Sequence, residues 1–354
     1  MKKFLACVLA LCMLAGCLAG CSAEKPGPTT AGTPDPSTPA PGASAPAVSL
    51  PDNYDLIMTF GAETGSVYAM GIQIGEYINS LNPNITCTVK VGSSGSNITL
   101  LCSNQTVIAH SGSDIIHEAL MGTGDFTQPM TGFYGVASVM QSVLHVVVPA
   151  DCPVSTFREL VEQKYPIKLS VGTQGSGIET LMRKLLAYYG ATYEDIASWG
   201  GKVEYLNIGD ASTLFTDGQL NGVSVIAGMP YSSCAEIAAS KNIKFLSLDE
   251  EAVESFSKEG YIAQTIPAGT YNGQTEDTLS IANLVTVCAS GEADEEIVYQ
   301  ICKFLNSQEG IDILSNVNSG FAEYMTGPES GIAGIEVELH PGAARFYQEA
   351  GVLG

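Results

Sequence analysis

The sequence predicts an α/β fold with mostly parallel strands, and three observations carry that prediction. Short strand patterns alternate with helical ones, and a glycine-rich turn separates strand from helix in both halves of the chain. In addition, 45% of the 354 residues are apolar against 15% charged, enough to build a sizeable core and too apolar for a chain disordered throughout. In a fold of this class ligands gather outside the carboxyl ends of the strands.

Taken in order, residues 55–60 read as a strand, Gly61 and Gly65 punctuate it, and Val67, Met70, Ile74, Ile78 and Leu81 then share one helical face. Residues 85–91 alternate, with Ile85, Cys87, Val89 and Val91 inward. Residues 92–96 turn, and Asn97 opens a short helix. Residues 106–110 form a third strand and residues 144–148 a buried one, and His145 within the latter reads as a satisfied core or hinge residue. In the second half, residues 168–172 form a strand, residues 172–177 a glycine turn and residues 178–189 a helix. Residues 222–227 and 244–248 are further strands.

The amino-terminal end is built differently. Lys2 and Lys3 precede an apolar run over residues 4–20, proportioned as a secretory signal. Two Leu-Ala-Gly-Cys tetrads end that run, at Cys17 and Cys21, and resemble the lipobox of bacterial lipoproteins. Polar Ser22, Glu24 and Lys25 follow Cys21 at once, so Cys21 is the expected acylated residue and residues 1–20 the signal peptide. Residues 21–50 hold seven prolines among Ala, Ser, Thr and Gly, too little apolar surface to fold, and form a lipid-anchored linker of on the order of 30 Å. The expected location is extracytoplasmic, tethered to the cell membrane through lipid.

Charge and motifs narrow the function. With 15 Lys and Arg against 37 Asp and Glu, a formal net charge of -22, nothing draws the chain to nucleic acid. Cys87, Cys102, Cys152, Cys234, Cys288 and Cys302 show no spacing of a zinc site or redox dithiol, and no disulfide pairing follows from them. His117-Glu118 lacks the second histidine of a zincin, and no Gly-x-Ser-x-Gly elbow occurs, so no catalytic residue, metal or cofactor is expected. Residues 172–177 lack the lysine of a P-loop. The turns at 61–66, 92–96 and 172–177 instead offer backbone N–H groups and hydroxyls at helix N-termini, a cradle for a carboxylate, although Ser176 and Glu179 also fit a capping box.

The ordered set of motifs resembles the TAXI-type solute receptors of TRAP transporters. It comprises residues 61–68 with Gly71, Gly95-Ser96-Asn97, Asp114 with residues 122–126, residues 171–179, Asp217-Gly218, residues 227–230, residues 266–271, and residues 339–343 with Tyr347. The likeness covers nearly everything from residue 54 onward. It implies a type II periplasmic-binding-protein fold, two lobes around a ligand cleft joined by hinge strands, with residues 51–148 in lobe 1, 149–270 in lobe 2 and 271–354 returning to lobe 1. It also implies a small carboxylate-bearing solute, glutamate or a relative, delivered to the membrane subunits of a TRAP-type ion-coupled permease. The ligand-binding residues expected are Glu63, Thr64, Gly65, Ser66, Tyr68, Gly95, Ser96, Asn97, Asp114, Thr173, Gln174, Gly175, Ser176 and Gly177. An ABC-type binding lipoprotein, or an exported hydrolase on a two-lobe scaffold, are the competing readings. Glu63 replaces a small residue usual in the family, and Gly112 stands where a Gln often precedes Ser113 and Asp114. Glu63 therefore either faces solvent or meets a positive group on the ligand, with Asp114 as second acceptor.

If Cys21 carries the lipid, Cys21→Ser moves the protein from the membrane to the soluble fraction. Retention on the membrane with Cys17 intact would transfer the anchor to the first tetrad.

Overall fold

Two long strands organise the body of the protein. The computed structural model describes residues 49–63 and 65–353; the expected signal segment, Cys21 and the linker through residue 48 lie outside the described residues, as does Thr64. The chain first forms β1 (Tyr54–Phe60), α1 (Ser66–Leu81), β2 (Ile85–Val91), α2 (Ser94–Cys102), β3 (Ile108–Gly112) and α3 (Ser113–Met121), followed by the long β4 (Phe133–Pro149). Next come α4 (Phe157–Glu162), β5 (Lys168–Ser170), α5 (Gly177–Tyr188), α6 (Tyr193–Ser198), β6 (Lys202–Glu204), α7 (Ile208–Thr216) and β7 (Gly222–Ala227). After α8 (Ser232–Ser240), β8 (Ile243–Phe245), α9 (Glu250–Ser257) and β9 (Ile262–Ile266), the second long strand β10 (Thr278–Ser290) returns. The chain closes with α10 (Glu295–Leu305), α11 (Gln308–Val317), α12 (Ser319–Tyr324), α13 (Pro328–Ile332) and α14 (Pro341–Glu349).

The strands lie in the order β2-β1-β3-β10-β4-β7-β5-β6, with β8 beside β4 and β9 beside β10. β4 pairs with β10 from Phe133 to Val143 and with β7 from Val143 to Val147, so one strand serves the strand sets of both lobes in succession within a single sheet. β10 does the same, pairing with β9 up to Ala282 and with β3 from Val285 to Ala289. The apolar cores divide at the same point. Val136, Val139 and Val287 belong with Leu56, Phe60 and Ile74 in lobe 1, whereas Leu144, Val146 and Ile281 belong with Leu169, Leu181 and Phe256 in lobe 2.

Strand direction follows from the pairing. β10 is antiparallel to both β3 and β4, so β3 runs the same way as β4, from lobe 1 toward lobe 2. β7 is antiparallel to β4 and parallel to β5, so these run from lobe 2 toward lobe 1. The carboxyl ends of the parallel strands of each lobe therefore face the other lobe. This strand order and direction give the two-lobe binding-protein fold.

Several elements depart from the sequence reading. Residues 144–148 are the end of a 17-residue strand whose first half, with Tyr134, Gly135, Ser138, Gln141 and Ser142, breaks the apolar run while staying mostly buried. The central strands β4 and β10 are antiparallel, where mostly parallel pairing was expected. α2 begins at Ser94, before Asn97. Val91 is 58% exposed because β2 ends the sheet and its inner face loses cover, and Leu81, the last residue of α1, is 44% exposed. Gly71 has a packing reason: a Cβ there would lie 2.8 Å from Cγ of Phe60, so glycine lets α1 close onto β1. The six cysteines are free, and burial pushes the Cys234 and Cys288 thiols up to about 12.

At the strand crossing, His145 is fully buried and fully bonded. Its Nδ1–H donates to the Val143 carbonyl at 2.8 Å, and its Nε2 accepts from the Tyr271 hydroxyl at 2.8 Å. The Tyr271 oxygen in turn accepts the Tyr231 N–H at 2.8 Å. Only neutral histidine satisfies this chain, and burial lowers the His145 pKa to about 4 from 6.5. The folded value is the lower, so the unfolded chain binds more protons between these values and stability falls as pH drops from 6.5 toward 4, by up to about 3 kcal/mol. The unfolding free-energy gap between wild type and His145→Gln is expected to narrow across that window; a constant gap would place the acid sensitivity elsewhere.

Candidate functional site

The facing strand ends put six turns around the space between the lobes. Lobe 1 contributes the β1–α1, β2–α2 and β3–α3 turns, and lobe 2 the β5–α5, β6–α7 and β7–α8 turns. The helices behind these turns differ in how their N-termini are satisfied. Ser176 accepts the Glu179 N–H for α5, and Asn207 accepts the Asp210 N–H for α7. By contrast α1 is capped by Gly65, α3 by Gly112 and α8 by Tyr231, none of which supplies a side-chain hydrogen bond. These helices present orphan N–H groups and the positive end of a helix dipole to the cleft.

The cradle expected at residues 172–177 is partly occupied from within. Glu179, 1% exposed, accepts the Gly175 N–H at 3.2 Å and pairs with Arg183 through both guanidinium Nε and Nη2. Thr173, Gln174, Gly175 and Gly177 are exposed and Ser176 half-buried. Gln174 also borders a cavity of about 300 Å³ with Arg183, Tyr193 and Tyr205.

In lobe 1, Glu63 is exposed and Gly65 and Ser66 half-buried at the mouth of α1. Tyr68 lies apart from them: its hydroxyl donates to the Val89 carbonyl at 3.4 Å, and with Cys87 it lines a cavity of about 410 Å³ between α1 and β2. Ser96 is exposed and turned back on Ser93, accepting its N–H at 3.1 Å, with Gly95 half-buried beside it. Asn97 is wholly buried and joins three elements. Its Nδ2 donates to the Thr59 carbonyl at 3.2 Å and the His110 carbonyl at 2.9 Å and lies 3.1 Å from His110 Nδ1.

Asp114 faces the other lobe. Its Oδ1 accepts from Asn283 Nδ2 at 3.0 Å and its Oδ2 from the Tyr261 hydroxyl at 3.3 Å. Burial raises its pKa, and the Asn283 bond opposes that rise. Ser113 donates to the Gly260 carbonyl at 2.6 Å and accepts the Leu284 N–H at 2.9 Å. Lys184 of α5 reaches Glu118 of α3 at 2.9 Å and Glu259 at 3.3 Å. Gly260, at φ +83°, approaches so closely that a Cβ would lie 2.5 Å from the Ser113 carbonyl oxygen. Sequence reasoning did not select Ser94, which accepts the Gly112 N–H at 3.2 Å, nor His110, Asn283 or Tyr231. Ser94 sat in a turn already marked, but the other three needed the strand pairing to become neighbours of the site.

A family comparison covers this whole arrangement. The NMT1-like family model matches residues 58–351, from within β1 to past the end of α14. The chain belongs to the NMT1-like family. Solved structures similar to this NMT1-like chain include the periplasmic aliphatic sulphonate binding protein SsuA from Escherichia coli, at 13% identity and TM-score 0.45, covering 85% of each chain. A TctC solute binding protein from Polaromonas matches at 16% identity and TM-score 0.43, over 75% of this chain and 88% of the other. An ABC-type phosphate transport receptor from Vibrio cholerae matches at 13% identity and TM-score 0.43, over 75% of this chain and 98% of the other.

The NMT1-like chain's lobe-1 wall depends on Asn97, and Gly92 makes room for it. A Cβ at residue 92 would fall on Asn97 Oδ1 and lie 2.5 Å from Thr59 Cγ2. Gly92→Ala is expected to expel the amide from its carbonyl partners and to cost about 2–4 kcal/mol in chemical denaturation. A loss below about 0.5 kcal/mol would show that the wall does not hang on this residue.

Proposed function

We propose that this chain is an extracytoplasmic solute receptor, anchored through Cys21, that captures a small carboxylate-bearing solute between its lobes and delivers it to a TRAP-type ion-coupled permease. The observation that carries the reading is the opposed set of strand ends, hung on the two crossing strands, with α1, α3 and α8 left without side-chain caps on the cleft side. Family membership and the motif resemblance support it. An uncapped N-terminus favours an anion, and uncapped N-termini from both lobes let one ligand hold the lobes together.

The favoured solute is an amino acid such as glutamate. Exposed Glu63 stands in the turn before α1, and Asp114, already bonded to Asn283 and Tyr261, is the second carboxylate at the cleft. A solute with an ammonium as well as a carboxylate can meet both signs, whereas a pure dicarboxylate meets repulsion at Glu63.

Thermal shift and calorimetry with L-glutamate and 2-oxoglutarate test this. A bound solute at a hundredfold excess over Kd stabilises by about 2.7 kcal/mol, a resolvable shift in Tm. Glu63→Gln is expected to weaken L-glutamate while leaving 2-oxoglutarate unchanged or improved. Equal small effects would make Glu63 a solvated turn residue, and turnover of a bound solute would favour the hydrolase. Capture by an ABC permease in place of a TRAP permease would change the partner but not the receptor role.

A further inference from the structure

We infer that His110 presents its Nε2–H, beside the uncapped first turn of α1, as a neutral hydrogen-bond donor for a carboxylate oxygen of the solute. The inference rests on the receptor reading and deepens it, because it fixes which lobe takes the carboxylate.

Position comes first. His110 lies in β3, and its ring stacks on Phe60, the last residue of β1, with centroids 6.0 Å apart and planes 8° from parallel. A Cβ at Gly61 would lie 3.6 Å from Val67 Cβ and 3.9 Å from His110 Cε1. The imidazole edge, the turn after β1 and the first turn of α1 therefore border one small space. α1 has 16 residues and a glycine N-cap without a side-chain bond, and among the described residues no acceptor meets the N–H of Ser66 or Val67.

The tautomer follows from Asn97. The amide atom that faces His110 Nδ1 also contacts two backbone carbonyl oxygens, those of Thr59 and His110. Oxygen there would meet two acceptors, so the atom is the NH2 group, which only donates. Nδ1 faces a group that only donates and so carries no proton, which puts the ring proton of the neutral form on Nε2. His110 is 9% exposed, and burial lowers its pKa to about 4, so it is neutral at neutral pH. Among the described residues Nε2–H has no acceptor, and Nε2 is not one of the wholly buried polar atoms left without a partner, so the donor is open to a ligand oxygen.

An N–H donor next to a helix N-terminus accepts an oxygen anion and repels an ammonium. The solute carboxylate accordingly seats against His110 Nε2–H and the first N–H groups of α1, and its positive group turns away from those donors.

The test uses the full chain labelled with ¹⁵N at histidine and a minimal probe, sodium acetate, with methylammonium chloride as the opposite charge. Two-bond ¹H–¹⁵N spectra are expected to show His110 protonated at Nε2 and a saturable shift of that signal with acetate but not with methylammonium. His110→Phe should weaken the acetate response, and L-glutamate affinity where glutamate binds, roughly ten- to hundredfold. His110→Gln, whose amide can donate from a similar place, should recover most of it. A proton on Nδ1, or an Nε2 signal that acetate does not move, overturns the inference even if L-glutamate binds elsewhere. An acetate response without any L-glutamate binding leaves the subsite standing and removes glutamate as the solute.

Discussion

The constraint on which everything else depends is that β4 and β10 each belong to two lobes. Val143 is the hinge point of the first strand, bonded to β10 on one side and to β7 on the other, and Ala282 is its partner on the second. Because each strand must keep one direction through both lobes, the parallel strands attached to its two ends are forced to point at each other. A cleft walled by strand ends is thus a consequence of backbone pairing, before any side chain is considered. Burial on both faces explains the nearly continuous apolar run at the end of β4, residues 143–148, since a strand covered on two sides favours apolar side chains throughout.

Helix capping differs in degree between the cleft side and the rest of the molecule. Away from the cleft, Thr156, Thr192, Asp249, Asp294 and Ser307 each accept a first-turn N–H, the usual means of satisfying a helix start. Toward the cleft, α1 and α3 start from glycine and α8 from a tyrosine whose hydroxyl takes no part. A missing cap costs about 1 kcal/mol of helix stability, and local rules broken on one face of a molecule mark the face that has other work. Three cleft-side helices do carry caps: α2 through the Ser93–Ser96 box, α5 through Ser176, with Glu179 also bonding Gly175, and α7 through Asn207.

Much of this was legible in the sequence. The periodicity that placed Met70, Ile74 and Ile78 on one face of α1 is a local property, and the structure buries all three. The Ser176 cap of α5 was readable for the same reason, but the expected box forms only by half: Glu179 accepts the Gly175 N–H in place of the Ser176 N–H and is buried against Arg183. Strand pairing was not readable, because which strand lies beside β3 is decided by residues more than a hundred positions away. That is why Asn283 and Tyr261 as partners of Asp114 escaped notice, and why Asn97, expected as a ligand contact, turns out to spend its amide on Thr59 and His110. His145 was readable as a satisfied buried histidine from its apolar strand, but its partner Tyr271 comes from the return segment.

The way the lobes meet bears on how they move. Their apolar cores are separate clusters, and along β4 the division falls between Met140 and Val143. Beyond the two strands, short polar contacts join the lobes: Ser113 to Gly260, Asp114 to Tyr261, and Lys184 to Glu118. Each such bond is worth about 1 kcal/mol net, and a half-exposed ion pair no more than that. An apolar interface of the size of either core would cost tens of kilocalories per mole to open at about 25 cal/mol per Å². The lobes are therefore tied by interactions of the same order as the free energy a small bound solute supplies, which is the condition under which a ligand can shift a two-lobe equilibrium.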